Sequence, residues 1–391
     1  MAGYSPYDQY PPAQGQGSGE PPSHYGQPVN GMPGDYPPQG FIPTGAPVHT
    51  YCTAQQYTFV QGMGFMLRTP EDIERQSIRH TGRMLAFSLF FYLILYFGLK
   101  PLLSYFILRI LYAAKLGYNA SDEVTLITLL LLYPLALLIP FLVYKHRVGI
   151  PTYAALPMRA PRASLVLPGV FMMLGLSVIG NNAADAVSGA LRSIGLYVRQ
   201  NSVPLPESVS GIVLYMINFV LIAPVLEELV FRGIVMQSLR PYGDGFAVVI
   251  SALVFSLLHL NILAMPYAFL GGLALGYFVL RSGSLVTGMV LHLFNNLFAV
   301  VFDLFTRHLA PQPYALCQGA VFAVYLLLGV VALLVALRFN PNLFYILPSS
   351  TILGDSAKLR LILGSAPMVL IYIAVGVLLA GSLAFIGGTV W

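Results

Sequence analysis

Glu227 and Glu228 stand side by side in the string Ala223-Pro224-Val225-Leu226-Glu227-Glu228-Leu229-Val230-Phe231-Arg232-Gly233, inside a stretch that is otherwise apolar. A carboxylate in such surroundings is costly, so each one calls for a partner or a task. Glu228 and Arg232 are four residues apart, hence on one helical face and able to neutralise one another as an ion pair. Glu227 points about 100° away from Glu228 and has no cation near it in sequence, which leaves it open to act as a general base. Two further apolar stretches carry imidazoles. Phe255 and His259 are one turn apart, so the aromatic ring can pack beside the imidazole, and His292 and Asn296 are again four apart on one face. Asn295 faces elsewhere by about 100° and is the alternate for the role of Asn296. Taken singly, an intramembrane histidine or asparagine reads as a hydrogen bond between helices.

The elements that must bring these residues together are membrane helices. The chain of 391 residues is 57% hydrophobic and 9% charged, against about a quarter charged in a soluble domain. Apolar runs of about 20 residues recur from residue 84 onward. Hydropathy and breaker residues predict nine spans, near 84–114, 123–144, 164–181, 210–238, 246–262, 264–281, 284–306, 316–338 and 366–389. The fold class that follows is all-α, a polytopic membrane protein of about eight to nine transmembrane helices with a disordered N-terminal tail. Residues 1–60, rich in Pro, Gly, Tyr and Gln, form that tail, since they cannot bury enough apolar surface to offset backbone ordering. Residues 66–83 are expected to be an amphipathic surface helix entered through Thr69-Pro70-Glu71. The membrane domain is 84–391, with the chemistry at about 210–300. Counting about 1.5 Å per residue from the tail-side end places Glu227, His259 and Asn296 at roughly 16 to 20 Å and His292 at roughly 12 Å. Independent structural residues have no reason to share a depth, so one site is expected.

Arg68, Arg75, Arg79, Arg83, Lys145, Arg147, Arg159, Arg162, Arg240, Arg281, Arg338, Lys358 and Arg360 fall on the tail side; Lys115, Arg192, Arg199 and Arg307 fall opposite. The formal charge of +5 is therefore a topology signal and not a nucleic-acid one. The positive-inside rule puts the tail in the cytoplasm and, with nine spans, the C-terminus outside. No cleaved signal peptide is visible. Lys100, beside Pro101, falls deep in the first span, and either it snorkels along a tilted helix or the helix breaks there. Cys52 and Cys317 are too far apart for a C-x-x-C pair, so neither a disulfide framework nor a cysteine zinc site is expected. Gly271, Gly272 and Gly276 read as close helix packing.

Glu227-Glu228 with Arg232, Phe255 with His259, Gly283-Ser284-Leu285, and His292 with Asn296 resemble, in order and spacing, the EExxxR, FxxxH and HxxxN pattern of the CPBP family of intramembrane proteases, which includes the type II CAAX prenyl endopeptidases. The resemblance covers about residues 210–300. It implies that Glu227 with His259 activates a water for attack on a scissile carbonyl, that His292 and Asn296 stabilise the oxyanion, and that Glu228, Arg232 and Phe255 are support. The chemistry is compatible: a carboxylate beside a histidine can deprotonate water, and two donors on one face can stabilise an oxyanion at low dielectric. Glu227, His259, His292 and Asn296 could instead hold Zn2+ or another divalent metal, although no H-E-x-x-H pair lies on one helix. Glutamate-activated water with no required cofactor is the favoured form. The partners this implies are a peptide or membrane-protein substrate and the lipid bilayer, with no nucleic acid. The rival from another class is a non-catalytic scaffold, or a bacteriocin-immunity or sorting protein, that retains the site for binding. A transporter would call for inverted repeats with paired broken helices, which the sequence lacks.

Overall fold

A computed structural model describes residues 57–60, 64–67, 69–114, 121–199, 203–346, 348–349 and 351–385. The tail expected at 1–60 lies outside these except for β1 (Tyr57–Val60), which pairs antiparallel with β2 (Gly64–Leu67). Helix α1 (Pro70–Ala113) begins where the Thr69 hydroxyl accepts the Asp72 N–H and the Asp72 carboxylate accepts the Thr69 N–H, a capping box with proline at the first helical position. Residues 70–83 of the surface helix expected at 66–83 are thus the opening turns of one continuous element, while 66–67 belong to β2. That element also runs through Pro101, so the break considered at Lys100 does not occur.

The remaining elements are α2 (Ser121–Val148), the short α3 (Thr152–Ala155), α4 (Ala163–Ser193), β3 (Leu196–Val198), α5 (Val209–Tyr242), α6 (Asp244–Leu257), α7 (Ala264–Ser282), α8 (Leu285–Thr306), α9 (Pro311–Phe339), α10 (Asp355–Leu363), α11 (Ala366–Gly381) and β4 (Leu383–Phe385). α2 carries Asp122 and Glu123 in its first turn and Lys145, His146 and Arg147 in its last, each sign opposing the helix dipole. α7 stops at Gly283, whose φ of 64° is the left-handed conformation that glycine takes without cost. Among the described residues seven helices are long and apolar enough to cross a membrane, and eight if α10 and α11, bent by 65°, form one span.

The predicted fifth span at 246–262 is the error in the sequence reading. α6 has 14 residues, roughly 21 Å at 1.5 Å per residue, short of a hydrocarbon core of about 30 Å. It ends because polar residues beyond it compete for the backbone. The His259 N–H turns back to Ser256 O at 3.2 Å, the Leu260 N–H to Leu257 O at 3.3 Å, and Asn261 Oδ1 accepts the N–H of Leu263 at 2.9 Å. Leu260 is left at φ 51°, a left-handed conformation that its branched side chain disfavours.

Packing organises around α5. Phe231, Val235 and Leu239 of α5 join Leu85 and Leu89 of α1, Phe141 and Tyr144 of α2 and Ile250 of α6 in one buried core. The Phe141 and Phe231 rings meet edge to face at 6.0 Å. Cross-links define two ends. At the end that holds the start of α1, Glu74 accepts the N–H of Ile352 at 2.9 Å and Lys358 Nζ donates to Tyr242 O at 2.7 Å. At the other, β3 pairs with β4, and the Ser208 hydroxyl donates to Glu123 at 2.5 Å. α9 lies against α4 through two glycines, and its other faces expose Leu327, Val330 and Leu334, as a helix bathed in lipid does.

A Cβ at Gly329 would lie 2.8 Å from the Gly175 Cα, backbone that cannot yield as a side chain can, whereas one at Gly319 on the same helix would meet nothing within 4 Å. Gly329→Val is expected to lower stability by about 1 to 3 kcal/mol through overpacking, and Gly319→Val by less than about 0.5 kcal/mol. Thermal unfolding of both variants in one detergent compares them.

Candidate active site

Pro224 sets the geometry of α5 before the two glutamates are reached. Residues Ile217–Ile222 are π-helical, and the Ala223 N–H goes to Asn218 O, five residues back. In that register the Phe219 carbonyl would be served by residue 224, and a proline has no N–H to give. Asn296 Nδ2 of α8 donates to Phe219 O at 2.9 Å in its place. One amide hydrogen of Asn296 is consumed in this way and the other remains. A second π-helical segment, Glu228–Val235, follows. Widened turns of this kind recur at functional sites, because they leave backbone groups to be satisfied from elsewhere.

Glu228 and Arg232 pair as their spacing predicts: Arg232 Nη1 donates to Glu228 Oε1 at 2.8 Å with both side chains fully buried. The guanidinium also lies 4.2 Å from the centre of the Phe255 ring. Phe255 is the hub of the cluster, meeting His259 at 4.7 Å, His292 at 5.8 Å and Phe231 at 5.2 Å between centroids, each edge to face. The same Glu228 Oε1 receives His292 Nδ1 at 3.0 Å. Room for this carboxylate depends on Gly288, where a Cβ would come within 2.6 Å of Glu228 Oε2.

Hydrogen positions on both imidazoles follow from these partners. His259 Nδ1 faces the Phe255 carbonyl at 2.9 Å. A carbonyl only accepts, so Nδ1 carries the hydrogen and Nε2 of the neutral ring keeps a lone pair. His292 Nδ1 likewise donates to the Glu228 carboxylate, which leaves its Nε2 toward Glu227 Oε2 at 3.7 Å. Glu227 itself is held by Tyr133 of α2, whose hydroxyl donates to Oε1 at 2.6 Å.

Glu227, His259, His292, Asn295 and Asn296 all line one cavity of ≈ 780 Å³. The structure thus brings the sequence-derived set to common walls, with Glu228 and Arg232 behind it. His259 arrives from the end of α6 and not from the middle of a span. Asn295 Nδ2 donates to the Tyr267 hydroxyl at 2.5 Å and to Asn296 Oδ1 at 3.3 Å, tying the two asparagines together. Gly272 and Gly276 are close-packing positions, meeting Ala252 and Val248 of α6, whereas Gly271 faces the cavity. Tyr133 went unrecognised in the sequence. Its signal was a phenol inside an apolar span, which needs a hydrogen-bond partner there. Among the described residues no three His, Cys, Asp or Glu side chains are placed to hold a metal ion, and no step is routed through a metal.

No curated protein and no solved structure matches the chain. Residues 209–298, from the start of α5 into α8, match the family model described as Type II CAAX prenyl endopeptidase Rce1-like. This segment carries Glu227, His259, His292 and Asn296, and over it the chain is similar to the CAAX proteases.

Proposed function

We propose that the protein is an intramembrane endopeptidase in which Glu227, assisted by His259, activates a water for attack on a peptide bond. The observation that carries this reading is the hydrogen-bonding of Glu227: Tyr133 engages Oε1 at 2.6 Å and leaves Oε2 to the cavity. A water there can give its proton to Oε2 and a hydrogen bond to His259 Nε2, which the Phe255 carbonyl keeps in the accepting tautomer. The hydroxide adds to the scissile carbonyl, and the proton passes on to the departing amine as the C–N bond breaks. The second amide hydrogen of Asn296 stabilises the oxyanion. His292 has its Nδ1–H committed to Glu228, so it donates from Nε2 only while it carries a second proton, and otherwise can receive one from Glu227 across 3.7 Å.

Prenylated CAAX peptides are the substrate class that the family description supplies, and a cavity walled by Tyr92, Phe97 and Tyr133 suits a lipid-modified peptide. The excess of Lys and Arg at the α1 entry end assigns that end to the cytoplasm and the β3–β4 end to the opposite side.

Glu227→Gln keeps the shape and the Tyr133 contact but removes the base; cleavage of a prenylated CAAX peptide by purified protein is expected to fall by about 10³-fold. Unchanged cleavage would overturn the assignment and favour a binding role for the site. A strong chelator is expected to leave the wild-type rate as it is, and a loss reversed by Zn2+ would point to a metal instead.

Tyr133→Phe frees the Glu227 carboxylate to swing, and a fall of about tenfold in kcat with KM little changed is expected from the lost charge-assisted hydrogen bond. Single-turnover rates separate this from an effect on product release.

Arg232→Met strands Glu228 without its cation and is expected to cost about 3 to 5 kcal/mol. Arg232→Met combined with Glu228→Gln removes both charges and is expected to recover part of that loss. Chemical denaturation in detergent measures the difference.

A further inference from the structure

The proposed oxyanion has one committed donor, the second amide hydrogen of Asn296, because neutral His292 spends its N–H on Glu228. Sites of this kind present several pre-organised donors to the developing charge. Other polar groups on the cavity walls are already spent. Asn218 Nδ2 donates to the carbonyls of Leu126 and Leu214, the Ser177 hydroxyl to Leu174 O, and Tyr133 to Glu227. Tyr267, one turn into α7, also lines the cavity, and the direction of its hydrogen follows from a chain of acceptors that begins at Pro224.

The Phe219 carbonyl only accepts, so the Asn296 atom 2.9 Å from it is Nδ2, and Oδ1 is the other end of that amide. Oδ1 likewise only accepts, so the Asn295 atom 3.3 Å from it is Nδ2. That same Nδ2 stands 2.5 Å from the Tyr267 hydroxyl. With the two hydrogens of Asn295 directed to Asn296 and to the phenol, the phenol oxygen is the acceptor and its own hydrogen is left over. Among the described residues no group takes that hydrogen, and the side chain borders the cavity. Were the Asn295 amide turned over, its Oδ1 would absorb the phenol hydrogen, but it would then face Asn296 Oδ1, acceptor against acceptor.

Packing holds the ring where these bonds put it. A Cβ at Gly180 of α4 would lie 2.9 Å from both Cα and Cδ2 of Tyr267, so the glycine is what lets α4 close against that side chain. Asn295 is itself buried. Because its two bonds share one nitrogen, the phenol oxygen and the Asn296 amide oxygen are no further apart than the combined length of two hydrogen bonds, and both residues line the cavity that Glu227 lines.

We propose that Tyr267 is a further catalytic residue, whose phenol O–H donates to the oxyanion formed when water adds to the scissile carbonyl, as the second donor beside Asn296. The proton stays on the phenol throughout, and the oxyanion's electron pair re-forms the carbonyl as the C–N bond breaks. The proposal rests on the endopeptidase reading.

The test uses the full chain in phosphatidylcholine nanodiscs, a fluorogenic prenylated CAAX peptide, and a phosphinate analogue of that peptide with an anionic tetrahedral phosphorus in place of the scissile carbonyl. Tyr267→Phe keeps the ring against Gly180 and removes only the hydroxyl. Its kcat is expected to fall about 10²-fold with KM little changed. Phosphinate affinity is expected to fall by a similar factor, whereas the peptide itself is expected to bind Glu227→Gln protein equally well with and without Tyr267→Phe. A merely structural tyrosine would weaken peptide and phosphinate together. That result, or a kcat within about twofold of wild type, would overturn the proposal. If wild type cleaves no peptide, the endopeptidase reading fails, and Tyr267 is judged on binding alone. Phosphinate affinity lost selectively in Tyr267→Phe supports a phenol that donates to an anion at this site, and equal affinity overturns it.

Discussion

Burial of the Glu228–Arg232 pair at full desolvation is the interaction on which the site depends. Two opposite charges removed from water repay their desolvation only if every remaining polar edge also finds a partner. The structure meets much of that demand from three helices. Arg232 reaches Glu228 on its own helix, the Phe255 ring on α6 and the Gly272 carbonyl on α7 at 3.4 Å, while Glu228 takes the imidazole of His292 from α8. The pair is therefore a joint between α5, α6, α7 and α8, and it fixes where His292 stands. A hydrophobic joint of the same volume would pack the helices without orienting an imidazole.

Satisfaction of the backbone is the second constraint, and it acts through proline. Within lipid an unpaired carbonyl is costly, so Pro224 obliges α5 to find a donor for Phe219 from another helix. Asn296 is that donor. Asn296 is thus positioned by a defect in the helix that carries Glu227, and its bond to Phe219 joins the Glu228–His292 contact in holding α5 and α8 in register. His259 follows the same logic at the end of α6: the turn that stops the helix leaves the Phe255 carbonyl to the imidazole and sets its tautomer.

The sequence made the spans and the site legible to different degrees, for physical reasons. Long apolar runs such as 316–338 can only be membrane helices, and pairs four residues apart, Glu228 with Arg232 and Phe255 with His259, were readable because helical periodicity places them on one face. The end of α6 was not readable. Leu257, Leu258, Leu260, Ile262 and Leu263 keep the hydropathy high past the point where Asn261 and the neighbouring turns divert the backbone, so the apolar run outlasts the helix. Tyr133 was hidden for a related reason. Its contact with Glu227 spans 94 residues, and no local pattern records which of many tyrosines faces inward. Lys100 was visible as an anomaly, but its surroundings had to be seen before it ceased to be a problem of helix geometry.

A division of labour along the chain follows from these placements. The family match spans residues 209–298 and contains Glu227, both imidazoles, the asparagines and the buried ion pair, linked by short contacts between α5, α6 and α8. α1 and α2 lie outside that segment, yet they supply Tyr92, Tyr96, Lys100 and Tyr133 to the same cavity. The groups of the matched segment reside where helices are locked by a shared charge pair and a shared backbone bond. The cavity-lining groups of α1 and α2 reside on helices joined to that core through apolar contact and through hydrogen bonds of Ser77 and Thr81 with Tyr242, Asn218 with Leu126 O, Tyr133 with Glu227 and Tyr144 with Ser238. None of the α1 side chains that line the cavity completes the ion pair or the Phe219 bond, so the geometry of that cluster is set by α5, α6, α7 and α8.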